Sequence, residues 1–486
     1  MRWGRRILVA FVAGLVMAAP AYCASRLPGA APYGLVASNV NFLPGATPAT
    51  RTANYRRLFA GGVRAVRMDI GWTQVEPPGP PLHDYRFADR DREVAAARAA
   101  GLQVYGILAY GHPDYSSRGA VVQQSPLAGG VPPFAVGSAQ YYPPDDPAAF
   151  AAYARATAAH YGRRVMAWEI WNEENEGWRF WPPREDPAAY GRLLCAAHDA
   201  VKAANPRALV VFGGVFYPAL AGLPGTSGPD FVQQVLSALP GVGRCFDALA
   251  YHPYPYPFTA PELDVPVRGS VLAAADHMRA LLRRNGLGRK PLWVTEVGWP
   301  TSDRAYGVSE EKQAEYLART LAASFAQHLP VVTWYTYGDE SDPTRANQEA
   351  AFGLFRADGT PKPAYRALST FTRVFKGTQF AADRSRALGL PAGALLTGGR
   401  GFALEYARRG ARVWALWYAS ETAFDAQGPV AQESGQGRTL TVRVPVSRGR
   451  VAAFDYLGRP RPVRRRAGRV TLALGPAPVY LVSDSP

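Results

Sequence analysis

Lysine is nearly absent from this chain of 486 residues: Lys202, Lys290, Lys312, Lys362 and Lys376 are five among 54 basic residues. The net charge of +16 is therefore almost wholly arginine. Alanine, glycine and proline are abundant beside it, so two readings stand, a GC-rich coding bias or an acidic partner. Charge of this kind speaks to association rather than to fold. Cysteine is scarcer still, at Cys23, Cys195 and Cys245 alone. The seven histidines include no His-x-His pair and no HExxH run. The usual patterns for zinc are thus missing, and no metal or cofactor is expected. Long apolar runs are also missing outside the N-terminus. There, Ile7 to Met17 is a stretch of eleven residues, short of the roughly 20 that a bilayer needs. Arg2, Arg5 and Arg6 precede it and small residues around Ala21, Cys23 and Ala24 follow, which reads as an export signal over residues 1–25. Bulky Tyr22 argues against acylation of Cys23. The expected location is the periplasm or beyond, with no membrane span after cleavage. Cys195 and Cys245 could then bridge in an oxidising compartment. Two buried, unpaired thiols are the expectation, because sequence does not show that they approach.

What the sequence does contain is a large core: 48% of residues are hydrophobic and 19% charged. Eight short apolar runs recur from residue 33 to about 375, at Gly34–Ser38, Val63–Asp69, Leu102–Ala109, Val165–Trp171, Leu209–Gly213, Ala248–His252, Leu292–Glu296 and Val331–Thr336. Each is nearly continuous, as in parallel strands buried on both faces. Helix signals lie between them. Asp146-Pro147 and Asp186-Pro187 put a capping carboxylate before a proline of the first turn. Ser309 followed by Glu310 and Glu311 puts a cap and two acids where a helix dipole favours them. Eight strand–helix units predict a (β/α)8 TIM barrel over residues 26–375. Beyond residue 376 short alternating runs at Ala403–Tyr406, Val413–Trp417, Leu440–Val444, Val451–Phe454 and Val470–Leu474 predict an antiparallel β-sandwich-like domain to residue 486. Arg438 to Arg469 holds ten arginines and one acid, Asp455. That is either a solvated edge blocking aggregation or a docking face for an anionic glycan.

In a barrel enzyme the reacting groups stand at the C-terminal ends of strands. Two carboxylate-bearing segments fall there: WEIWNEEN (Trp168 to Asn175) on the fourth strand and LWVTEVGWP (Leu292 to Pro300) on the seventh. Glycosidic cleavage needs one carboxyl to protonate the leaving oxygen and another to meet the anomeric carbon. Strand alternation puts Glu169 and Glu173 on one face, with Glu169 about 13 Å deeper and paired to an arginine. Glu174 and Glu176 read as solvated loop residues. Glu173 is left, and Glu296 faces it.

These motifs resemble clan A retaining glycoside hydrolases, most closely family 39 and related bacterial exopolysaccharide-associated glycosidases. The likeness covers residues 33 to 375, and the Asn172-Glu173 pair with TEVGW (Thr295 to Trp299) is its specific part. The resemblance implies Glu173 as acid/base, Glu296 as nucleophile and Asn172 on the sugar 2-hydroxyl. It also implies Arg67, in VRMDIGW, bonded to the nucleophile, and His252 and Tyr254, in YHPY, beside it. Gly353 to Tyr365 is similar to the segment before the last barrel helix. The eighth strand offers Trp334, Tyr335 and Tyr337 as an aromatic floor, with Trp334 preferred. Trp72, Trp178, Phe180, Trp181 and Trp299 are candidates for stacking on sugars, and His112 and Tyr110 for polar contact.

The expected function is hydrolysis of an O-glycosidic bond by double displacement, on a bacterial exopolysaccharide or oligosaccharide that carries negative charge. Nucleic acid is not an expected partner. The alternatives are an exo-acting β-xylosidase-like or uronidase-like enzyme, a transglycosylase, or a non-catalytic glycan-binding or assembly protein. The loop Gly111 to Asp146 would decide between a pocket and a cleft.

Overall fold

The computed structural model describes residues 27–40, 47–117, 141–218, 225–255, 258–263, 270–303, 307–341, 347–393, 399–420 and 438–484. The proposed export signal lies outside them. Eight parallel strands close a barrel: β1 (Leu35–Asn39), β2 (Ala65–Asp69), β3 (Gln103–Leu108), β4 (Ala167–Asn172), β5 (Leu209–Phe216), β6 (Ala248–His252), β7 (Leu292–Val297) and β8 (Val331–Trp334), with β1 pairing both β2 and β8. All eight apolar runs of the sequence are strands of it.

The helices start where the sequence signals them. Asp146 accepts from the Ala148 amide, Asp186 from that of Ala189 and Ser309 from that of Lys312. Phe150, Tyr153, Ala154 and Thr157 form the buried stripe of helix Pro147–Tyr161. Such stripes close over the barrel's outer face, while Tyr105, Ala167, Ala250, Trp293 and their neighbours fill its lumen. Cys195 on helix Pro187–Ala204 is bonded to Cys245, with Cα atoms 4.9 Å apart. The expectation of two free thiols is corrected: the barrel's helical rim brings together positions separated by 50 residues.

The remaining strands form two antiparallel sheets. One runs β14 (Pro460–Arg461), β13 (Val451–Asp455), β17 (Val479–Asp484), β11 (Ala411–Ala419), β10 (Arg400–Arg408) and β9 (Gln379–Asp383). The other runs β12 (Leu440–Pro445), β16 (Arg469–Leu474) and β15 (Arg465–Arg466). Trp414 and Leu416 of β11 meet Val442, Val444, Val470 and Leu472 between the two sheets. The alternate residues Val413, Ala415 and Trp417 belong instead to the core shared with the barrel. Period-two alternation thus gives β11 two buried faces.

One junction is ionic. Arg319, on helix Glu310–Ala326, donates to both oxygens of Glu262 at 2.9 and 2.8 Å. The Trp417 indole N–H reaches the same carboxylate at 2.8 Å. Glu262 lies in the segment after β6 that also carries Tyr254, so the sheet grips a loop of the barrel mouth.

Candidate active site

Strict alternation along β4 would point Asn172 away from Glu169 and Glu173. The backbone departs from it. Trp171 (φ 73°) and Glu173 (φ 50°) are left-handed, which non-glycine residues adopt at some strain. Trp171 therefore turns outward, where it packs on Trp181 and Phe150. Glu169, Asn172 and Glu173 all turn toward the barrel axis. β7 reaches the same end through a register irregularity between Val294 and Val297. Both valines join the outer core, and the intervening Thr295 and Glu296 both face inward.

Arg67 organises what they meet. Its guanidinium donates to Glu169 at 2.9 and 2.8 Å, to Asn172 Oδ1 at 2.8 Å and to Glu296 Oε1. Tyr254 donates to the other Glu296 oxygen at 2.8 Å. His252 Nδ1 lies 2.7 Å from Glu173 Oε1 and 3.8 Å from Glu296 Oε2. One ligand atom each from Glu173, His252 and Glu296 lies within 4.8 Å of the other two. That trio is the one cluster among the described residues with the spacing of a metal site, but each member is already engaged by a protein partner.

Burial is the largest influence on both carboxyls. It pushes Glu173 up to about 7, against the Arg179 and Arg67 cations and with help from Glu169. It raises Glu296 as well, but His252, Arg67 and the Tyr254 hydroxyl oppose it. Two donors thus favour the ionised form of Glu296, whereas the Glu173 carboxyl has no side-chain donor of fixed polarity within 3.5 Å among the described residues. Burial also drops His252 to about 4, so the imidazole is neutral near pH 7. It sits flush on Gly214, where a Cβ would fall 2.1 Å from Nε2.

Arg67, Asn172, Glu173, His252, Tyr254 and Glu296 are therefore brought together as the sequence suggested. Four other candidates are not. Trp334 points outward among Val36, Val297, Leu317 and Leu368, because alternation on β8 puts Thr333 inward and Trp334 out. The aromatic beside Glu296 is half-buried Tyr335, whose ring lies 6.4 Å from Tyr254 and 5.4 Å from Phe352. Trp299 is fully buried, donating to the Thr259 carbonyl. Trp181 packs into the core on Trp171 and Tyr190. His112 is buried with both nitrogens used, one on the Glu76 carbonyl and one on the Asp114 amide.

The expectation that Glu174 and Glu176 are solvated is also corrected. Their exposures are 0% and 4%, and burial lifts Glu176 to about 8 and Glu174 well up. Trp72 is sealed between Tyr153 and Tyr115, and Trp178 is buried too. Phe180 stacks on Tyr110 at 5.5 Å, beside the site. Residues 118–140 of the loop expected to shape the cleft lie outside the described residues.

Sequence reasoning missed Arg179, whose Nη1 stands 4.0 Å from Glu173 Oε2 and whose guanidinium covers Phe180. It also missed Thr295, which contacts His252 and Glu169. Thr295 was in plain view as the neighbour of Glu296, but alternation hides it by assigning the two to opposite faces.

No protein-family model matches the chain, and no curated protein does. Solved structures do. A family 39 glycoside hydrolase from the gut symbiont Bacteroides cellulosilyticus superposes with a TM-score of 0.68 at 23% identity, over 93% of this chain and 81% of that one. A family 39 β-xylosidase from Caulobacter crescentus gives 0.59 at 16%, over 93% and 96%. A family 30 endoxylanase from Clostridium papyrosolvens gives 0.55 at 12%, over 93% and 96%. At such identities the likeness is one of fold: a barrel with appended sheets, shared along nearly the whole chain.

Proposed function

We propose that the chain is a retaining glycoside hydrolase, with Glu296 as nucleophile and Glu173 as acid and then base. The observation that carries this is the close, unequal pair. A Glu173 oxygen and a Glu296 oxygen lie within 4.8 Å, near the roughly 5 Å of retaining enzymes and below the span that an inverting enzyme leaves for water. Glu296 is held by Arg67 and Tyr254, so it can attack the anomeric carbon as a carboxylate. Glu173 keeps its proton to about pH 7 and can give it to the leaving oxygen. Once Glu296 is esterified its charge is gone, the proton affinity of Glu173 drops, and Glu173 draws a proton from water to release the sugar. Asn172, fixed by Arg67, faces the sugar 2-hydroxyl in this reading.

The substrate in this reading is a bacterial exopolysaccharide, and the enzyme is exported. The Cys195–Cys245 bond supports an oxidising compartment, as does the residue 1–25 pattern. An anionic glycan is supported by the three-stranded sheet. Arg466 stands directly across from Arg469, and Arg443 lies diagonal to it, all exposed and on one face. An exo-acting β-xylosidase-like enzyme is the second reading, favoured by the fold shared with family 39 β-xylosidases.

Isolated exopolysaccharides and aryl β-glycosides should be screened with wild type, Glu173→Gln and Glu296→Gln. Glu296→Gln is expected to lose on the order of 10⁴-fold in kcat. Glu173→Gln should lose less on an activated aryl leaving group than on a sugar. Hydrolysis that persists unchanged in Glu296→Gln, or an inverted first-formed anomer, overturns the assignment.

A further inference from the structure

We propose that Thr295 is a positioning residue that keeps the proton on Glu173 by fixing the tautomer of His252. The argument begins at Arg67, which can only donate. It donates to both oxygens of Glu169, so Glu169 is an ionised acceptor. The Thr295 hydroxyl is 3.2 Å from Glu169 Oε1 and gives that oxygen its single hydrogen. The Thr295 oxygen can then only accept from His252 Nε2, 3.1 Å away. With its proton on Nε2, the neutral ring presents a lone pair at Nδ1, and that lone pair faces Glu173 Oε1 at 2.7 Å. The contact is attractive when Glu173 carries the proton and repulsive when it does not. Donation therefore runs one way through four side chains, from Glu173 at the barrel mouth through His252 and Thr295 to Glu169, which the buried Arg67 cation holds as an acceptor.

Other groups facing the pair act by charge and leave the tautomer alone. Around His252 these are Glu296, 3.8 Å from Nδ1, with Arg67 and Glu169 farther off and Tyr254 at its edge. Around Glu173 they are Arg179 at 4.0 Å, with Arg67, Glu169, Glu176, Glu296 and Glu349 beyond. Without the Thr295 hydroxyl, Nε2 loses its acceptor and the ring is free to carry its proton on Nδ1. That N–H would donate to the Glu173 carboxylate and favour the ionised form. Glu173 would become a weaker base for the second step and lose its proton at lower pH.

The proposal rests on the acid/base reading of Glu173, and two measurements keep their failures apart. The first uses folded protein without substrate: 15N shifts of the His252 ring, assigned by difference from His252→Gln, report which nitrogen holds the proton at pH 7. Wild type and Thr295→Ser should show Nε2–H, and Thr295→Val a gain of Nδ1–H. The second is the pH profile of kcat/KM, whose alkaline limb should move about one pH unit lower in Thr295→Val and stay in Thr295→Ser. Wild-type protein with Nδ1–H, or Thr295→Val with an unmoved limb and unmoved tautomer, overturns the relay. Full activity in Glu173→Gln overturns the catalytic reading instead, while the tautomer measurement still stands.

Discussion

Two populations of arginine divide the molecule. Inside it, Arg67 and Arg319 have fully buried side chains, and each is matched by carboxylates: Glu169 and Glu296 for the first, Glu262 for the second. On the three-stranded sheet, Arg443, Arg466 and Arg469 are exposed and aligned, and none of them forms an ion pair among the described residues. A guanidinium taken out of water must be paired, and removing one partner strands the other. An exposed one pays no such penalty, so its presence has to be explained by something else. Edge protection suits Arg443 and Arg466 on the outer strands. It does not suit Arg469, which sits on the central strand.

Substitutions graded by burial test that contrast. The largest effect is expected for Arg67→Met, which leaves Glu169 and Glu296 unpaired. About 3–5 kcal/mol of unfolding free energy should be lost in denaturant titration, together with activity. A loss below about 1 kcal/mol would erase the distinction. Arg319→Met strands Glu262 and should fall in the same range for stability while retaining measurable activity. If it abolishes turnover without lowering stability, Glu262 does more than tie the two parts together.

Arg179 stands between the populations, with a side chain 24% exposed and 4.0 Å from Glu173. A nearby cation favours the carboxylate, so Arg179→Ala should raise the Glu173 value further above about 7. Activity that needs the protonated acid would then persist to higher pH, with the alkaline limb shifted up by about half a unit to one unit. A downward shift means that Arg179 acts through packing on Phe180. The smallest effect on stability is expected for Arg443→Ser/Arg466→Ser/Arg469→Ser, within about 0.5 kcal/mol of wild type. Its retention on an acidic polysaccharide gel should nonetheless weaken, most visibly at low salt. Unchanged retention would leave these arginines to coding bias.

The sequence carries the barrel well, because continuous apolar runs and capping pairs are local signals that packing then obeys. It carries Glu173 and Glu296 by motif. What it hides is their aim. A period-two reading sends Asn172 and Thr295 to the wrong faces, since nothing local announces a left-handed Trp171 or an irregular β7. The same parity argument, applied to β8, would have chosen Tyr335 over Trp334. Trp299, Trp181 and His112 show the opposite difficulty. Residue type is equally suited to a sugar face and a core, and only the layer they occupy decides. The disulfide and the Arg319–Glu262–Trp417 junction join distant segments, so spacing could not reveal either.

That junction bears on how the chain comes apart. The core under Phe371 and Phe375 continues without a break into Tyr406, Trp417 and Tyr480. Neither half can open without baring the other's apolar face and an unmatched buried ion. Melting should therefore be a single cooperative event, and a fragment ending near residue 375 should behave as an incomplete folding unit rather than as a smaller enzyme.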